Sequence, residues 1–162
     1  MNNSPIGVYD SGFGGLSVWR EIHRRLPEES LLYLGDGKNC PYGGRSREEI
    51  TAFAREAIGR LIGEGVKMVV VGCNTATTAA VDALRAEWPD IPIVGLEPAV
   101  KPACLSSRTR RIAVLATAHS LQSDMFLNTA RRYAADVEVI KVEGRGFVEL
   151  VEASEEDSPK AE

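Results

Sequence analysis

Cys73 is the residue of this sequence with the clearest means of doing chemistry. It follows an apolar run at residues 68–71 that is typical of a buried parallel strand, and Gly72 allows a tight turn before it. Asn74 and Thr75 then predict the cap of a helix. Because a helix N-terminus favours negative charge, we expect a lowered pKa for the Cys73 thiol and the highest reactivity among the cysteines. A buried structural cysteine is the other interpretation, and both stay open at this point.

Two other predicted strands also end in polar residues. The strand at residues 6–10 ends in Asp10, and the glycine-rich run at residues 11–15 permits a close backbone approach to a ligand. This run is neither a dinucleotide fingerprint nor a Walker loop, and the Asp10 carboxylate would repel a phosphate, so nucleotide binding is not predicted. The strand at residues 31–36 ends in Asp36, and the loop at residues 37–46 has the composition of a binding loop.

Strands and helices alternate along the chain and position these polar ends. Further strands are predicted at residues 91–96, 111–117 and 137–142, and one helix over residues 120–134. Ser46 and Glu49 predict a capping box at the start of another helix. The alternation predicts an α/β fold with a parallel, doubly wound sheet. We expect residues 1–97 to form one complete domain and residues 98–162 a partial second domain of the same kind, with a polar, frayed tail.

Composition excludes several classes of protein. The chain has 162 residues, of which 44% are hydrophobic and 26% charged, as in ordinary soluble globular proteins. The net charge of −4 includes no basic block, so neither nucleic acid nor a membrane surface is an expected partner. No apolar run approaches the roughly 18 residues of a membrane span, and no signal peptide is recognised. Three cysteines without a C-x-x-C pair indicate reduced cytoplasmic thiols, and two isolated histidines predict no metal site.

Four short motifs, taken together and in order, resemble those of the glutamate racemases, within the aspartate/glutamate racemase superfamily. They occupy residues 10–18, 35–36, 41–43 and 72–76. The resemblance extends from residue 6 to about residue 152. It implies two similar α/β domains that face each other across the substrate, and interconversion of L- and D-glutamate without a cofactor. It also implies a cytoplasmic enzyme that supplies D-glutamate for peptidoglycan; a homo-oligomer is compatible with this interpretation.

The resemblance also implies how the reaction proceeds. Two cysteines, one in each domain, act on opposite faces of the α-carbon, because a single base would return the proton to the face it left. Each group needs a pKa near the pH of the cell to serve as acid and as base. Cys73 matches the cysteine that handles the D-enantiomer, Asp10 matches the carboxylate beside it, and Glu152 matches a carboxylate that assists the second cysteine.

Substrate contacts are implied for eight further positions: Ser11, Pro41, Tyr42, Gly43, Asn74, Thr75, Thr117 and Ser120. Asn74 and Thr75 suit a helix N-terminus that holds a carboxylate. Each assignment has a simpler alternative. Asp10 could cap a turn, Tyr42 could be an aromatic residue at the rim, and Glu152 could be a solvated charge on a helix.

The second catalytic motif of the family, Gly-Cys-Thr-His, does not occur in this sequence. Cys104 is no substitute, since it lies inside an apolar segment. The sequence therefore predicts a racemase truncated at its C-terminus and inactive by itself, with an apolar sheet surface left exposed. Two alternatives stay open: a non-catalytic domain that binds an amino acid or a protein, and a racemase of another acidic amino acid such as aspartate.

Overall fold

The computed structural model describes residues 3–161, which form two compact units that meet in sequence at Leu96 and Glu97. Both units contain parallel strands joined by helices, so the predicted α/β class is confirmed. Among the residues described, no helix is long and apolar enough to cross a membrane. The assignment of the units as one complete and one partial racemase domain stays a prediction.

The first unit is a four-stranded parallel sheet with three helices. Its strands are β1 (Ile6–Asp10), β2 (Leu31–Gly35), β3 (Met68–Val71) and β4 (Ile93–Gly95), in the order β2-β1-β3-β4. Its helices are α1 (Leu16–Arg25), α2 (Arg47–Gly63) and α3 (Asn74–Glu87). Asp10 pairs with Gly35 in register, and Tyr9 pairs with Val71. The carboxyl ends of the three strands β2, β1 and β3 therefore lie side by side.

Helices cover both faces of this sheet. Ile6 and Val8 of β1 pack in a cluster with apolar residues of α1, among them Trp19. Gly7 points the other way, since a methyl group added there would lie 3.2 Å from Leu61 of α2. Successive strand residues face opposite sides, so β1 is buried along its whole length. Burial on both faces is the reason that this strand is apolar without alternation.

The starts of α2 and α3 show one correct and one wrong prediction. The capping box of α2 is confirmed, because Ser46 Oγ accepts from the Glu49 amide and the Glu49 carboxylate accepts from the Ser46 amide. At α3 the capping residue is Cys73, and Asn74 and Thr75 already belong to the helix. The Cys73 sulfur fills the acceptor role by taking a hydrogen bond from the Ala76 amide at 3.4 Å.

The second unit has two parallel strands and four α-helices within its described residues. The strands are β5 (Arg111–Ala116) and β6 (Glu138–Glu143), and the helices are α4 (Val100–Ser106), α5 (Ala118–Gln122), α6 (Asp124–Tyr133) and α7 (Phe147–Glu152). The single helix predicted over residues 120–134 is wrong. Ser123 is extended and caps α6 by accepting from the Phe126 amide, so the chain forms two helices there.

One face of the β5–β6 sheet is packed and the other is open. Alternate residues of β5, including Ile112 and Val114, join a core formed with α4 and α6. On the opposite face Leu115 is 57% exposed, Ile140 40% and Val142 41%. This confirms the prediction of an exposed apolar sheet surface. The predicted frayed tail contains turns and a short 3₁₀ helix, Pro159–Ala161.

Candidate active site

The first unit reverses its strand order between β1 and β3. From β1 the chain steps to β2 on one side, and from β2 it returns across β1 to β3 and β4. In open α/β sheets ligands bind at the carboxyl ends of the strands at such a switch point. Asp10 ends β1 there and Ser11 follows it, and Cys73 comes shortly after β3. The fold therefore brings together residues that lie about sixty positions apart in the sequence.

Cys73 is held by hydrogen bonds from two elements. Its sulfur lies 3.3 Å from the hydroxyl oxygen of Ser11, in a contact where either group can donate. It also accepts from the Ala76 amide in the first turn of α3. The residue is buried, with 7% of its surface exposed. These contacts fix the sulfur at the switch point.

The predicted lowering of the Cys73 pKa is wrong for the chain without ligand. Burial raises the pKa of the thiol, and the negative charge of Asp10 raises it further. Hydrogen bonds from Ser11 and from the Ala76 amide act in the opposite direction without overcoming burial. The helix N-terminus stabilises the thiolate through the amide contact. The free energy lost when a thiolate is removed from water is larger than this stabilisation. The resting group is therefore a neutral thiol.

Asp10 organises the glycine loop that follows β1. The amides of Gly12 and Gly15 donate to Oδ2 of its carboxylate at 3.2 and 3.0 Å. A side chain at Gly15 is impossible without rearrangement, since an added Cβ would lie 2.7 Å from the Asp10 Cβ. The carboxylate is buried. The turn-capping interpretation of Asp10 is therefore correct, and a role in proton transfer at Cys73 is an additional proposal.

Tyr42 lies inside the first unit rather than at a rim. Its hydroxyl donates to Oδ2 of Asp36 at 2.6 Å and lies 2.7 Å from the hydroxyl of Tyr9. Because this side chain is buried, the half-buried Pro41 and Gly43 are the parts of the segment open to a ligand. The peptide bond before Pro41 is cis.

Tyr9 was not identified as a site residue from the sequence, since its place in an apolar strand indicates core packing. The signal that could have found it is its hydroxyl. A tyrosine in a fully buried strand needs a hydrogen-bond partner, and the nearby loop supplies one.

Asn74 and Thr75 occupy the first turn of α3, the position from which a helix N-terminus can hold a carboxylate. Asn74 is exposed, whereas the Thr75 side chain is buried. The fourteen-residue helix presents its first amides beside Cys73. Backbone amides at such a terminus attract an anionic group.

The remaining predicted residues belong to the second unit. Thr117 caps α5, and its hydroxyl donates to the Ser120 hydroxyl at 3.1 Å. Ser120 is buried, and Glu152 is a half-buried residue at the end of α7. Within residues 3–161 no three His, Cys, Asp or Glu side chains are grouped to hold a metal ion, and the absence of a cofactor stays a prediction.

Comparisons with known proteins agree on one family. The model of the Asp/Glu/Hydantoin racemase family matches residues 6–162. A glutamate racemase of Stutzerimonas stutzeri is 49% identical over 155 residues, which are 96% of this chain and 59% of that protein. The chain thus spans about three fifths of the length of the curated relatives it matches.

Solved structures give the same result. A glutamate racemase isoform from Bacillus anthracis superposes with a TM-score of 0.85 at 37% identity, covering 99% of this chain and 60% of that one. A glutamate racemase from Francisella tularensis, solved in complex with D-glutamate, gives a TM-score of 0.78 at 31% identity. This match covers 93% of this chain and 56% of that one.

Proposed function

This chain belongs to the Asp/Glu/Hydantoin racemase family, and we propose that it carries one half of a glutamate racemase site. The single observation that supports this most strongly is the position of Cys73. Its thiol lies at the switch point of the sheet, bonded to Ser11 and next to the first turn of α3. Relatives named glutamate racemase, at 46–49% identity, support glutamate as the substrate over other acidic amino acids.

In the proposed reaction Cys73 exchanges a proton with the α-carbon of D-glutamate. The substrate carboxylate binds the first amides of α3 near Asn74 and Thr75, while Ser11 and the backbone at Pro41 and Gly43 complete the contact. No cofactor is needed, because the thiolate itself removes the proton. The second cysteine of the two-base mechanism is not among the residues of this chain. Full racemisation then needs a proton donor from additional polypeptide, and Glu152 assists at that side.

The raised pKa of Cys73 is compatible with this role once substrate is bound. An α-ammonium group close to the sulfur favours the thiolate, because opposite charges within a few ångströms stabilise the charged form. The buried carboxylate of Asp10 is then a nearby acceptor for the thiol proton. The thiolate would therefore form in the presence of glutamate and not before. In the cell the proposed whole enzyme works in the cytoplasm and supplies D-glutamate for peptidoglycan.

The test is exchange of the substrate α-proton with solvent. The purified chain is incubated with D-glutamate in D₂O, and α-deuteration is followed by NMR. We expect slow deuteration that Cys73→Ala abolishes and that the matched variant Cys40→Ala retains. A rate equal to that of buffer alone, at substrate concentrations that saturate binding, would exclude the proposed chemistry.

A second candidate is a domain that binds an acidic amino acid without acting on it. The neutral, buried thiol of the resting chain favours this alternative. Glutamate is added and the NMR signals of Asn74 and Thr75 are followed. Shifted signals without Cys73-dependent deuteration would identify such a binding domain. Aspartate in parallel samples distinguishes the substrate class.

A further inference from the structure

Three side chains of the first unit form a continuous hydrogen-bonded network. Oδ2 of Asp36 accepts from the Tyr42 hydroxyl at 2.6 Å, and the Tyr42 and Tyr9 hydroxyl oxygens are 2.7 Å apart. Tyr9 and Tyr42 are among the largest fully buried side chains of the described chain. Tyr9 directly precedes Asp10 in β1, so this hydrogen-bonded network connects the central strand to the loop at residues 36–46.

Asp36 joins the same two parts through its other contacts. Its amide donates to the Asp10 carbonyl at 2.9 Å, and its carboxylate accepts from the Asn39 side chain at 3.0 and 2.8 Å. Its carbonyl accepts from the amides of Asn39 and Cys40. The loop is thus closed upon Asp36, with its carboxylate as the common acceptor.

The ring of Tyr42 is fixed as well as its hydroxyl. It packs against Phe53 of α2 with ring centroids 5.6 Å apart, and the Tyr42 carbonyl accepts from the Arg45 amide at 3.0 Å. Pro41 and Gly43, the half-buried neighbours of Tyr42, are bonded to it directly, so the contacts of Tyr42 restrain them. The hydroxyl contact between Tyr42 and Tyr9 is the side-chain contact that ties this segment directly to β1.

We propose that Tyr9 is a positioning residue, which acts through the Tyr42 hydroxyl to hold the segment 41–43 where it meets the substrate. The proposal rests on the proposed function for the identity of that substrate. Tyr9 touches no reacting atom in this scheme. Its loss should weaken the binding of glutamate while leaving proton transfer at Cys73 unchanged.

The test is a double-variant cycle on the 162-residue chain, with Tyr9→Phe, Tyr42→Phe and both together. Amide hydrogen exchange is followed by NMR at Asn39, Cys40 and Arg45, whose amides close the loop. Tyr9→Phe should accelerate their exchange about threefold to tenfold, as expected for the loss of one buried hydrogen bond. In the Tyr42→Phe background, Tyr9→Phe should not accelerate exchange further, because the Tyr42 hydroxyl that Tyr9 contacts is already absent.

Tyr33→Phe is the matched control. It also removes a tyrosine hydroxyl from the first unit, but that hydroxyl donates to the Gly12 carbonyl at 2.6 Å. Exchange at the three loop amides should therefore stay as in the unmodified chain. Unchanged loop amides in Tyr9→Phe, additive effects in the double variant, or equal acceleration throughout the first unit would each overturn the proposal.

The deuteration of D-glutamate supplies the functional readout. Tyr9→Phe should raise the half-saturating glutamate concentration about threefold to tenfold, with the maximal rate and its pH dependence unchanged. A lower maximal rate at an unchanged half-saturating concentration would contradict a positioning role. If the unmodified chain deuterates nothing, the proposed function fails, and the amide-exchange cycle still decides whether Tyr9 positions the loop.

Discussion

The two units use the same parallel βα pattern but bury it to different extents. In the first unit β1 is buried along its length, with helices on both faces of a four-stranded sheet. In the second unit the sheet has two strands, and one face leaves Leu115, Ile140 and Val142 exposed. A two-stranded sheet depends for its stability on the helices packed against it, and here they cover one face. The comparison indicates that Cys73 belongs to the more fully buried scaffold and Thr117 to the less buried one.

The largest expected difference is in resistance to proteolysis. The second unit should open and be cleaved first, leaving a stable fragment that ends near Leu96. Mass spectrometry of a limited digest identifies the fragment, and an apolar dye should bind the intact chain more than the fragment. A monomer that melts in one sharp transition, with both units equally resistant, would contradict the contrast between the units.

The same kind of substitution should be costly in the first unit and nearly neutral on the open face of the second. Leu84→Ala removes a fully buried side chain of α3 and should lower the free energy of unfolding of the first unit by about 2–5 kcal/mol. Leu115→Ala, on the open face of β5, should change stability by less than about 0.5 kcal/mol. Urea unfolding of both variants measures this. A large cost for Leu115→Ala would mean that this face is covered in solution.

Alkaline pH should weaken the first unit. Burial raises the pKa of Tyr9 and of Tyr42 above the ordinary 10.0, and that of Cys73 above 9.0. The folded state keeps these protons while the unfolded state loses them, so stability falls as pH rises above about 9. Each such group contributes up to about 1.4 kcal/mol per pH unit. The Tyr9→Phe, Tyr42→Phe double variant should show a shallower decline, and an identical slope would contradict this assignment.

A smaller effect is expected in thiol labelling. Cys40 is half-buried, whereas Cys73 is buried with a raised pKa, so Cys40 should react first with iodoacetamide near neutral pH. This reverses the order expected from the sequence. Peptide mapping after timed labelling distinguishes the two cysteines. Faster labelling of Cys73 would mean that its thiolate forms without a ligand.

The sequence was sufficient for the features that depend on local pattern. Buried strands, the capping box of Ser46 and Glu49, and the polar strand ends follow from periodicity and residue type. The contact that brings Ser11 to 3.3 Å from Cys73 cannot be predicted from local pattern, because it depends on the pairing of β1 with β3.

Three features required tertiary structure. The direction of the Cys73 pKa shift depends on how far the thiol is desolvated, which no local pattern gives. The role of Cys73 as the cap of α3 depends on the direction of its sulfur. The hydroxyl contact between Tyr9 and Tyr42 joins residues 33 positions apart, so it becomes visible only in the folded chain.

The contrast between the units leads to one decisive measurement, which is the stereochemical course of the exchange. D-glutamate and L-glutamate are incubated separately with the chain in D₂O, and the products are resolved by chiral chromatography with mass detection. We expect α-deuterated D-glutamate with retained configuration, no deuteration of L-glutamate, and no interconversion. Efficient conversion of D- to L-glutamate by this chain would contradict the half-site, since a second proton donor would then be present.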